Sequence, residues 1–224
     1  MEPDDPRLES LAEFAAGAGH ELNNPVATIV GRVQLLLREE TDPSKRQALE
    51  VIAGQAYRIR DMIADVMLFG RPPEPSPEAG DLLAAVEASV DGVISGLPHR
   101  EGRVAIQGSG PVPVFADPPG LRVVIEELLT NALEADAESQ VIVTVATSAD
   151  GEAFLEVRDD GPGLDESSRR HLFDPYFSGR QAGRGLGFGL PKCWRIVTLD
   201  GGRIEVDENH ADGLAVVVHW PSTA

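Results

Sequence analysis

A run of prolines between two differently patterned regions constrains the fold of this chain most. Residues 71–77 read RPPEPSP and hold four prolines in seven positions. Proline lacks a backbone N–H and fixes φ, so this run excludes a helix and favours a stiff, extended connection. We therefore expect a multidomain chain, with one domain at residues 1–70, a linker at 71–78 and a second domain at 79–224.

Apolar residues upstream of the linker recur at the spacing of a coiled-coil seam. Steps of three and four residues alternate in two stripes, which a polar break at residues 39–44 separates. In that break Asp42 can cap the second helix, with Pro43 in its first position. The region therefore reads as an all-α hairpin of two antiparallel helices. Its predicted seam consists of Leu8, Leu11, Ala15, Ala18, Leu22, Ile29, Val33, Leu36, Leu49, Ile52, Ala56, Ile59, Ile63 and Val66.

A single hairpin cannot cover both flanks of these apolar stripes. Dimerisation into a four-helix bundle is the simplest arrangement that buries them. We therefore expect a homodimer formed through the hairpin.

The region after the linker mixes strand-like and helical runs. Short segments rich in Val, Ile and Phe are typical of strands, and longer segments carry helical patterns. Strands and helices do not alternate strictly, which favours an α+β two-layer sandwich of one sheet and one helical layer. The predicted strands are 104–106, 112–115, 141–145, 154–157, 203–206 and 214–218, and the predicted helices are 82–90, 121–135 and 190–199.

The chain is strongly acidic, with a formal net charge of −18 over 224 residues. Nucleic acids and anionic lipid surfaces bind Lys- and Arg-rich faces, so neither is an expected partner. No apolar run approaches the ~20 residues that span a bilayer, and we expect no membrane contact within this chain. The lone cysteine, Cys193, cannot form an internal disulfide, which favours a reducing compartment. We expect a cytoplasmic location, either as a whole protein or as the cytoplasmic portion of a larger sensor.

Residues 19–25 read GHELNNP and place a histidine on the first predicted helix. His20 is two positions from the seam residues on either side, about 200° round the helix, so we expect it on the exposed face. A neutral imidazole there is a competent nucleophile near neutral pH. Glu21 can orient the ring or accept its proton, and Asn24, one turn further, can position a water or a carboxylate. An ordinary solvated histidine is the alternative; a metal ligand is disfavoured, because no Cys or His lies at ligand spacing.

Two segments of the second domain carry oxygen donors beside apolar structure. Glu127 and Asn131 are four residues apart on a predicted helix, so they present two oxygen ligands on one face to a hard cation. Asp159 ends a predicted strand, where its carboxylate can accept a hydrogen bond from the amine of a base. Gly161 and Gly163 follow, and there the backbone can approach the ring of that base. Taken alone, the two patterns also fit an ordinary surface helix and an ordinary strand-exit turn.

Two later segments are aromatic and glycine-rich. Residues 172–177 read LFDPYF and end at Phe177, a cluster that by itself is more typical of a core. Residues 183–190 read GRGLGFGL and lead into a helix, so their backbone N–H groups can turn toward phosphate at a helix N-terminus. A flexible linker is the alternative, but Leu186 and its apolar neighbours argue against free solvation.

In order along the chain, these segments resemble the motifs of a known family. Residues 14–25 resemble the H box of sensor histidine kinases. The four later segments resemble the N, G1, F and G2 boxes of the Bergerat ATP-binding fold, which those kinases share with DNA gyrase. The resemblance implies an ATP-dependent protein histidine kinase that phosphorylates His20 and passes the phosphate to an aspartate on the receiver domain of a response regulator. A reverse, phosphatase-like reaction assisted by Asn24 is also open.

The resemblance also implies roles for residues in the second domain, with ATP and Mg²⁺ as the bound species. Asn131, with Glu127 as a second candidate, is expected to hold magnesium, and Asp159 is expected to recognise adenine. Residues 178–184 are expected to form a short lid over ATP. The other residues expected to contact the nucleotide are Gly161, Gly163, Phe177, Arg180, Arg184, Gly185, Leu186, Gly187 and Gly189.

Two positions depart from the kinase pattern. Kinases commonly have Asn where this chain has Glu127, and Glu at that position resembles the hydrolytic ATPases, in which it activates water. The phosphate-contacting Lys that many kinases carry three residues after Asn131 is Glu134 here. An ATPase that uses Glu127 as its base, a non-catalytic scaffold and a serine kinase of the anti-sigma type are therefore alternatives, and Arg180 or Arg184 is the candidate for the missing positive charge.

Overall fold

The computed structural model describes residues 6–100, 102–136, 138–175, 177, 187–207 and 213–223, without the side chains of residues 6–16, 18, 20, 98, 166 and 167. The chain divides into two compact units, Met1–Pro73 and Glu74–Ala224. The division falls within the proline-rich stretch. None of the helices in the described ranges is both long and apolar enough to cross a bilayer.

The first unit is a hairpin of two long helices, α1 at Pro6–Glu39 and α2 at Pro43–Gly70. The predicted start of α2 is confirmed: the side chain of Asp42 accepts hydrogen bonds from the backbone N–H groups of Ser44 and Lys45, and Pro43 occupies the first turn. These bonds satisfy N–H groups that have no partner within the helix. Pro25 lies inside α1, which continues through it as one helix.

Small and β-branched side chains form the contact between the two helices. Those buried among the described residues of the hairpin include Val26, Val33, Ala53 and Ala56. Several large members of the predicted seam point out of the hairpin and are about half exposed in the single chain, as expected of side chains that a second hairpin would cover. These members are Leu22, Ile29, Leu36, Ile52 and Ile59.

The second unit contains the sandwich. Within its described residues, five strands form one sheet in the order β2-β4-β5-β7-β6, in which β2 and β4 are parallel and the other pairs antiparallel. Two further strands, β1 and β3, pair as a small antiparallel ribbon. The strands are β1 Glu78–Asp81, β2 Val104–Gln107, β3 Pro113–Ala116, β4 Val141–Thr147, β5 Ala153–Asp159, β6 Arg203–Val206 and β7 Leu214–Trp220.

Helices form the second layer. The α-helices of this unit are α3 Leu82–Gly96, α4 Pro118–Leu133, α5 Glu166–Arg170 and α6 Gly189–Leu199, with a short 3₁₀ helix at Pro98–Arg100. Helix α4 packs on α3, on α6 and on β5, so it is the centre of the helical layer. The core between the layers is aliphatic. Its fully buried side chains include Leu82, Val86, Ile125, Leu128, Leu129, Val143, Leu155, Val197 and Val218.

The predicted fold class is confirmed: a helical hairpin precedes an α+β sandwich. Each of the six predicted strands and three predicted helices is present; the bounds of β6 are as predicted, and the others differ at one or both ends. Three elements were not predicted, namely β1, the 3₁₀ helix at Pro98–Arg100 and α5. Strand β1 begins inside the predicted linker, and α5 has only five residues.

Candidate functional site

Helix α4 presents Glu127 and Asn131 at the edge of its buried face. Asp117 caps the helix through a hydrogen bond from the Gly120 N–H, and the apolar neighbours Leu128 and Leu129 anchor it in the core. The two polar residues stay partly exposed. Their four-residue spacing places both on one side of the helix, as the sequence predicted.

The first residue of α6 lies directly against this polar pair. A Cβ atom at Gly189 would lie 2.8 Å from Glu127 Oε2 and 3.2 Å from Asn131 Nδ2. Any side chain there would push the two groups apart. Glycine at position 189 therefore keeps a carboxylate and an amide together at the start of a helix.

Lys192, one turn into α6, forms an ion pair with Glu127. Its Nζ donates to Glu127 Oε1 at 2.6 Å. Lys192 is 5% exposed, although the inward face of α6 is otherwise apolar. The two oxygens of Glu127 thus have different surroundings, since one meets an ammonium ion and the other lies beside Gly189.

Asp159 ends β5 and is 4% exposed. Its Oδ1 accepts a hydrogen bond of 2.9 Å from the Gly161 N–H, which folds the turn back toward the strand end. A Cβ atom at Gly161 would lie 2.9 Å from the Ala135 Cβ and 3.3 Å from Ser139 Oγ. The turn after β5 therefore lies against the segment that follows α4, and Asp159 stands at their junction.

Gly187 meets Phe177 through the backbone. Its φ is +71°, a conformation that disfavours side chains, and a Cβ atom there would collide with the Phe177 carbonyl. The structure thus brings two of the predicted nucleotide contacts together. The N-cap residue of α6 is Phe188, whose buried side chain offers no hydrogen-bond acceptor to the first N–H groups of the helix. The N–H groups at a helix start are suited to anions.

Several predicted site residues lie outside the described residues or are described only in part. Arg180, Arg184, Gly185, Leu186 and the predicted lid at 178–184 are outside them, and so is the side chain of His20. The backbone of His20 is helical within α1, and the side chains of Glu21 and Asn24 are exposed. Gly19 lies directly against Met67 of α2, where a Cβ atom would be 2.9 Å from the Met67 Cγ, so the glycine before His20 permits close contact of the helices.

A separate cavity of about 1110 Å³ lies against β5, β6 and β7. Its lining includes Phe154, Phe173 and Val217, together with charged residues of both signs. None of the predicted nucleotide contacts lines it. The predicted contacts that the structure describes lie instead around α4, α6 and the turn after β5, and we place the candidate site there.

Comparison with known protein families agrees with this arrangement. Residues 10–75 match the His Kinase A (phospho-acceptor) domain, and residues 116–224 match the histidine kinase-, DNA gyrase B- and HSP90-like ATPases. The chain is the catalytic core of a two-component histidine kinase. The site between α4 and α6 lies in the ATP-binding domain of this kinase core.

The kinase core is similar to part of longer sensors. It is 32% identical over 222 residues to the C4-dicarboxylate transport sensor protein DctB of Pseudomonas aeruginosa, covering 94% of this chain and 36% of DctB. It is 30% identical over 202 residues to the signal transduction histidine-protein kinase AtoS of Escherichia coli, covering 89% of this chain and 33% of AtoS. The chain thus spans roughly a third of the length of these relatives.

Solved structures share the fold of the kinase core. Full-length ShkA in complex with AMPPNP aligns with a TM-score of 0.81 at 23% identity, over 95% of this chain and 46% of ShkA. The Acinetobacter baumannii histidine kinase AdeS aligns with a TM-score of 0.64 at 18% identity, over 92% of this chain and 98% of AdeS. At these identities the likeness concerns the fold.

Two residues of the kinase core's site were not predicted from the sequence. Lys192 precedes Ile196 by four residues and so falls near the apolar side of α6, a signal that could have identified it as a buried charge. Ser139 is 3% exposed, and its hydroxyl has no hydrogen-bond partner among the described residues. It lies in a turn whose sequence carries no periodic pattern.

Proposed function

We propose that this kinase core binds ATP with magnesium, phosphorylates its own His20 and passes the phosphate to an aspartate of a response regulator. The observation that carries the proposal is the meeting of Glu127, Asn131 and Gly189 in the ATP-binding domain of a chain that also has a phospho-acceptor domain. In the transfer, a P–N bond to the imidazole forms as the bond between the γ-phosphorus and the bridging oxygen breaks, and ADP leaves.

The oxygen donors beside Gly189 suit a magnesium ion that arrives with ATP. No group of three or more His, Cys, Asp or Glu side chains within the described ranges could hold a metal by itself. Magnesium with a nucleotide usually takes one or two ligands from the protein. Asn131 would hold the ion, with Glu127 Oε2 as a second ligand, and bound magnesium would offset the negative charge of the phosphates.

The junction at Asp159 suits adenine. A buried carboxylate can accept a hydrogen bond from an exocyclic amine, and Gly161 leaves the ring room beside it. Gly163 and Phe177 would complete this end of the pocket. The backbone from Gly185 through Leu186 and Gly187 to Gly189 would meet the phosphates.

Arg180 or Arg184 would supply the positive charge that Glu134 does not. We test this role with Arg180→Ala and Arg184→Ala. If kcat/KM for ATP in both variants stays within about twofold of the parent value, the lid arginines do not stabilise the transferring phosphate.

Roles also follow for the residues around the phospho-acceptor. Glu21 would orient the His20 ring or accept its proton, and Asn24 would position a water for the reverse, phosphatase-like reaction on the partner. The exposed apolar residues of the hairpin would be buried in a homodimer. The partner would be a receiver domain, and we propose a cytoplasmic location for the kinase core.

Labelling with ATP that carries the label on the γ-phosphate tests the proposal. The parent chain should acquire a label that is labile to acid and stable to alkali, which is the behaviour of phosphohistidine. His20→Ala should acquire none. His99→Ala is the matched control, because His99 is an exposed histidine outside the motif, and it should label as the parent does.

A hydrolytic ATPase that uses Glu127 as its base is the second candidate. Its supporting observation is a carboxylate oxygen beside Gly189. That function predicts phosphate release that is unchanged in His20→Ala and abolished in Glu127→Gln, with no label on the protein. Such a pattern would refute the kinase proposal.

A further inference from the structure

We propose that Lys192 is a positioning residue of the ATP site: its ammonium ion neutralises Glu127 and fixes that carboxylate beside the phosphates. The proposal rests on the proposed function, because it assumes that MgATP binds between α4 and α6. Lys192 would be a cation on α6, additional to any that the predicted lid supplies.

The geometry joins Lys192 to the phosphate end of the pocket through Glu127. Lys192 Nζ is 2.6 Å from Glu127 Oε1. Glu127 Oε2 is 2.8 Å from the position of a Cβ at Gly189, where Asn131 Nδ2 is 3.2 Å away. The carboxylate therefore reaches from the buried lysine to the glycine against which phosphates would lie.

The charge of Glu127 would oppose phosphate binding unless a cation balanced it. A triphosphate brings several negative charges to a site that already contains a carboxylate, and like charges in a partly buried site repel strongly. Magnesium offsets part of this repulsion. Lys192 offsets it from the protein side, before any ligand arrives.

A purely structural role does not explain a lysine at this position. An apolar side chain of similar volume usually serves a buried helix contact as well as an ion pair does, without the cost of desolvating two charges. The neighbouring inward residues of α6 are such side chains, namely Leu190, Cys193, Ile196 and Val197. Lys192 interrupts this apolar face at the residue that meets Glu127.

Binding measurements on three variants test the proposal. Lys192→Met removes the cation and keeps an apolar side chain of similar length. The double variant Glu127→Gln/Lys192→Met also removes the carboxylate charge. Arg122→Met is the matched control, because Arg122 pairs with Glu126 at 2.8 Å on the exposed side of α4. Glu126 is the residue next to Glu127 in the chain. Calorimetry measures the affinity for ATP with and without magnesium, and ligand-observed NMR measures the affinity for adenosine, which has no phosphate.

The proposal predicts a loss that is specific to phosphate. Lys192→Met should bind ATP, with or without magnesium, at least about tenfold more weakly than the parent and adenosine within about twofold of it. The double variant also lacks the proposed magnesium ligand, so its recovery is expected for magnesium-free ATP, to within about threefold of the parent, and Arg122→Met should match the parent. Glu127→Gln alone leaves the lysine unbalanced and should bind ATP without magnesium at least about fivefold more tightly.

Three results would overturn the proposal. Lys192→Met could bind MgATP as tightly as the parent, it could lose MgATP and adenosine to the same extent, or the double variant could bind magnesium-free ATP as weakly as Lys192→Met does. If Lys192→Met does not fold, Glu127→Gln decides, and unchanged affinity for magnesium-free ATP overturns the idea. Failure of the parent to bind MgATP would instead contradict the proposed function, so the two failures are distinguishable.

Discussion

Asp200 is a buried carboxyl group whose ionisation opposes folding. It is 6% exposed at the end of α6, where its Oδ1 accepts the Asp117 N–H at 3.3 Å and its Oδ2 has no hydrogen-bond partner among the described residues. Burial raises the pKa of Asp200 from 3.8 to about 6, and the nearby Asp117 carboxylate adds to the increase. The native state therefore binds this proton more tightly than the unfolded chain does. Stability from Asp200 is present at acid pH and is lost as the pH rises through about 6.

Asp200→Asn should therefore stabilise the second unit in a pH-dependent way. The amide keeps an oxygen for the Asp117 N–H and carries no charge, so the free energy of unfolding should rise by roughly 1–2 kcal/mol near pH 7.5. Near pH 4 the gain should vanish. Tryptophan fluorescence during denaturation measures this unit alone, since Trp194 and Trp220 both lie in it. An equal gain at both pH values would contradict the assigned cause.

Gly161 and Gly92 should respond to alanine with opposite signs. The new Cβ at position 161 would press on Asp159 Oδ1 at 2.8 Å and on the Ala135 Cβ at 2.9 Å, so Gly161→Ala should cost about 1–3 kcal/mol. At position 92, inside α3, the nearest atom would be 3.9 Å away, so Gly92→Ala should add about 0.4–1 kcal/mol. The same fluorescence measurement compares them. Destabilisation by Gly92→Ala would refute the steric argument.

At the scale of elements, the turn between α1 and α2 depends on one cap. Asp42 satisfies two backbone N–H groups at the start of α2, so Asp42→Ala should destabilise the hairpin by about 1 kcal/mol. Thr41→Ala is the control at the adjacent exposed residue. Helical circular dichroism during thermal unfolding measures the difference. Equal transitions for the two variants would mean that the cap contributes nothing.

The elements that the sequence predicted correctly are those with their own local signals. Asp42 and Pro43 mark the start of α2, and the predicted strands carry apolar residues in short runs or, as in β6 (RIEV), at alternating positions. Strand β1 reads EAGD and lacks β-branched residues, and its place is determined by pairing with β3. A partner distant in sequence cannot be inferred from periodicity. Helix α5 was missed because its five residues are too few for a helical period to show in the sequence.

In the candidate site, too, only contacts within a single helix or turn could be predicted from the sequence. Glu127 with Asn131 and Asp159 with Gly161 were predictable, because each pair lies within one helix or one turn. The contact of Glu127 with Lys192 joins residues 65 positions apart, and only the packing of α4 on α6 creates it. The burial of Ser139 likewise depends on its surroundings in the fold, so the sequence did not predict it.

At the scale of the whole molecule, the hairpin exposes more large apolar side chains than a stable monomer usually does. The large apolar side chains of the described hairpin that are about half exposed are Leu22, Ile29, Leu35, Leu36, Val51, Ile52 and Ile59. They continue along both helices, as the flank of a four-helix bundle would. A second hairpin would bury them.

Ile52→Glu should therefore convert a dimer into a monomer. Ile52 is 48% exposed in the single chain, and a carboxylate at that position would be desolvated if a second hairpin covered it. Gly54→Glu adds the same charge at an exposed position about 200° round the helix from Ile52, where a new Cβ would meet no atom within 4 Å, and should leave the dimer intact. Sedimentation equilibrium measures both masses, and circular dichroism checks that each variant keeps its helices. A parent chain that sediments as a monomer, or an Ile52→Glu variant that stays dimeric, would show that these side chains do not form the dimer interface.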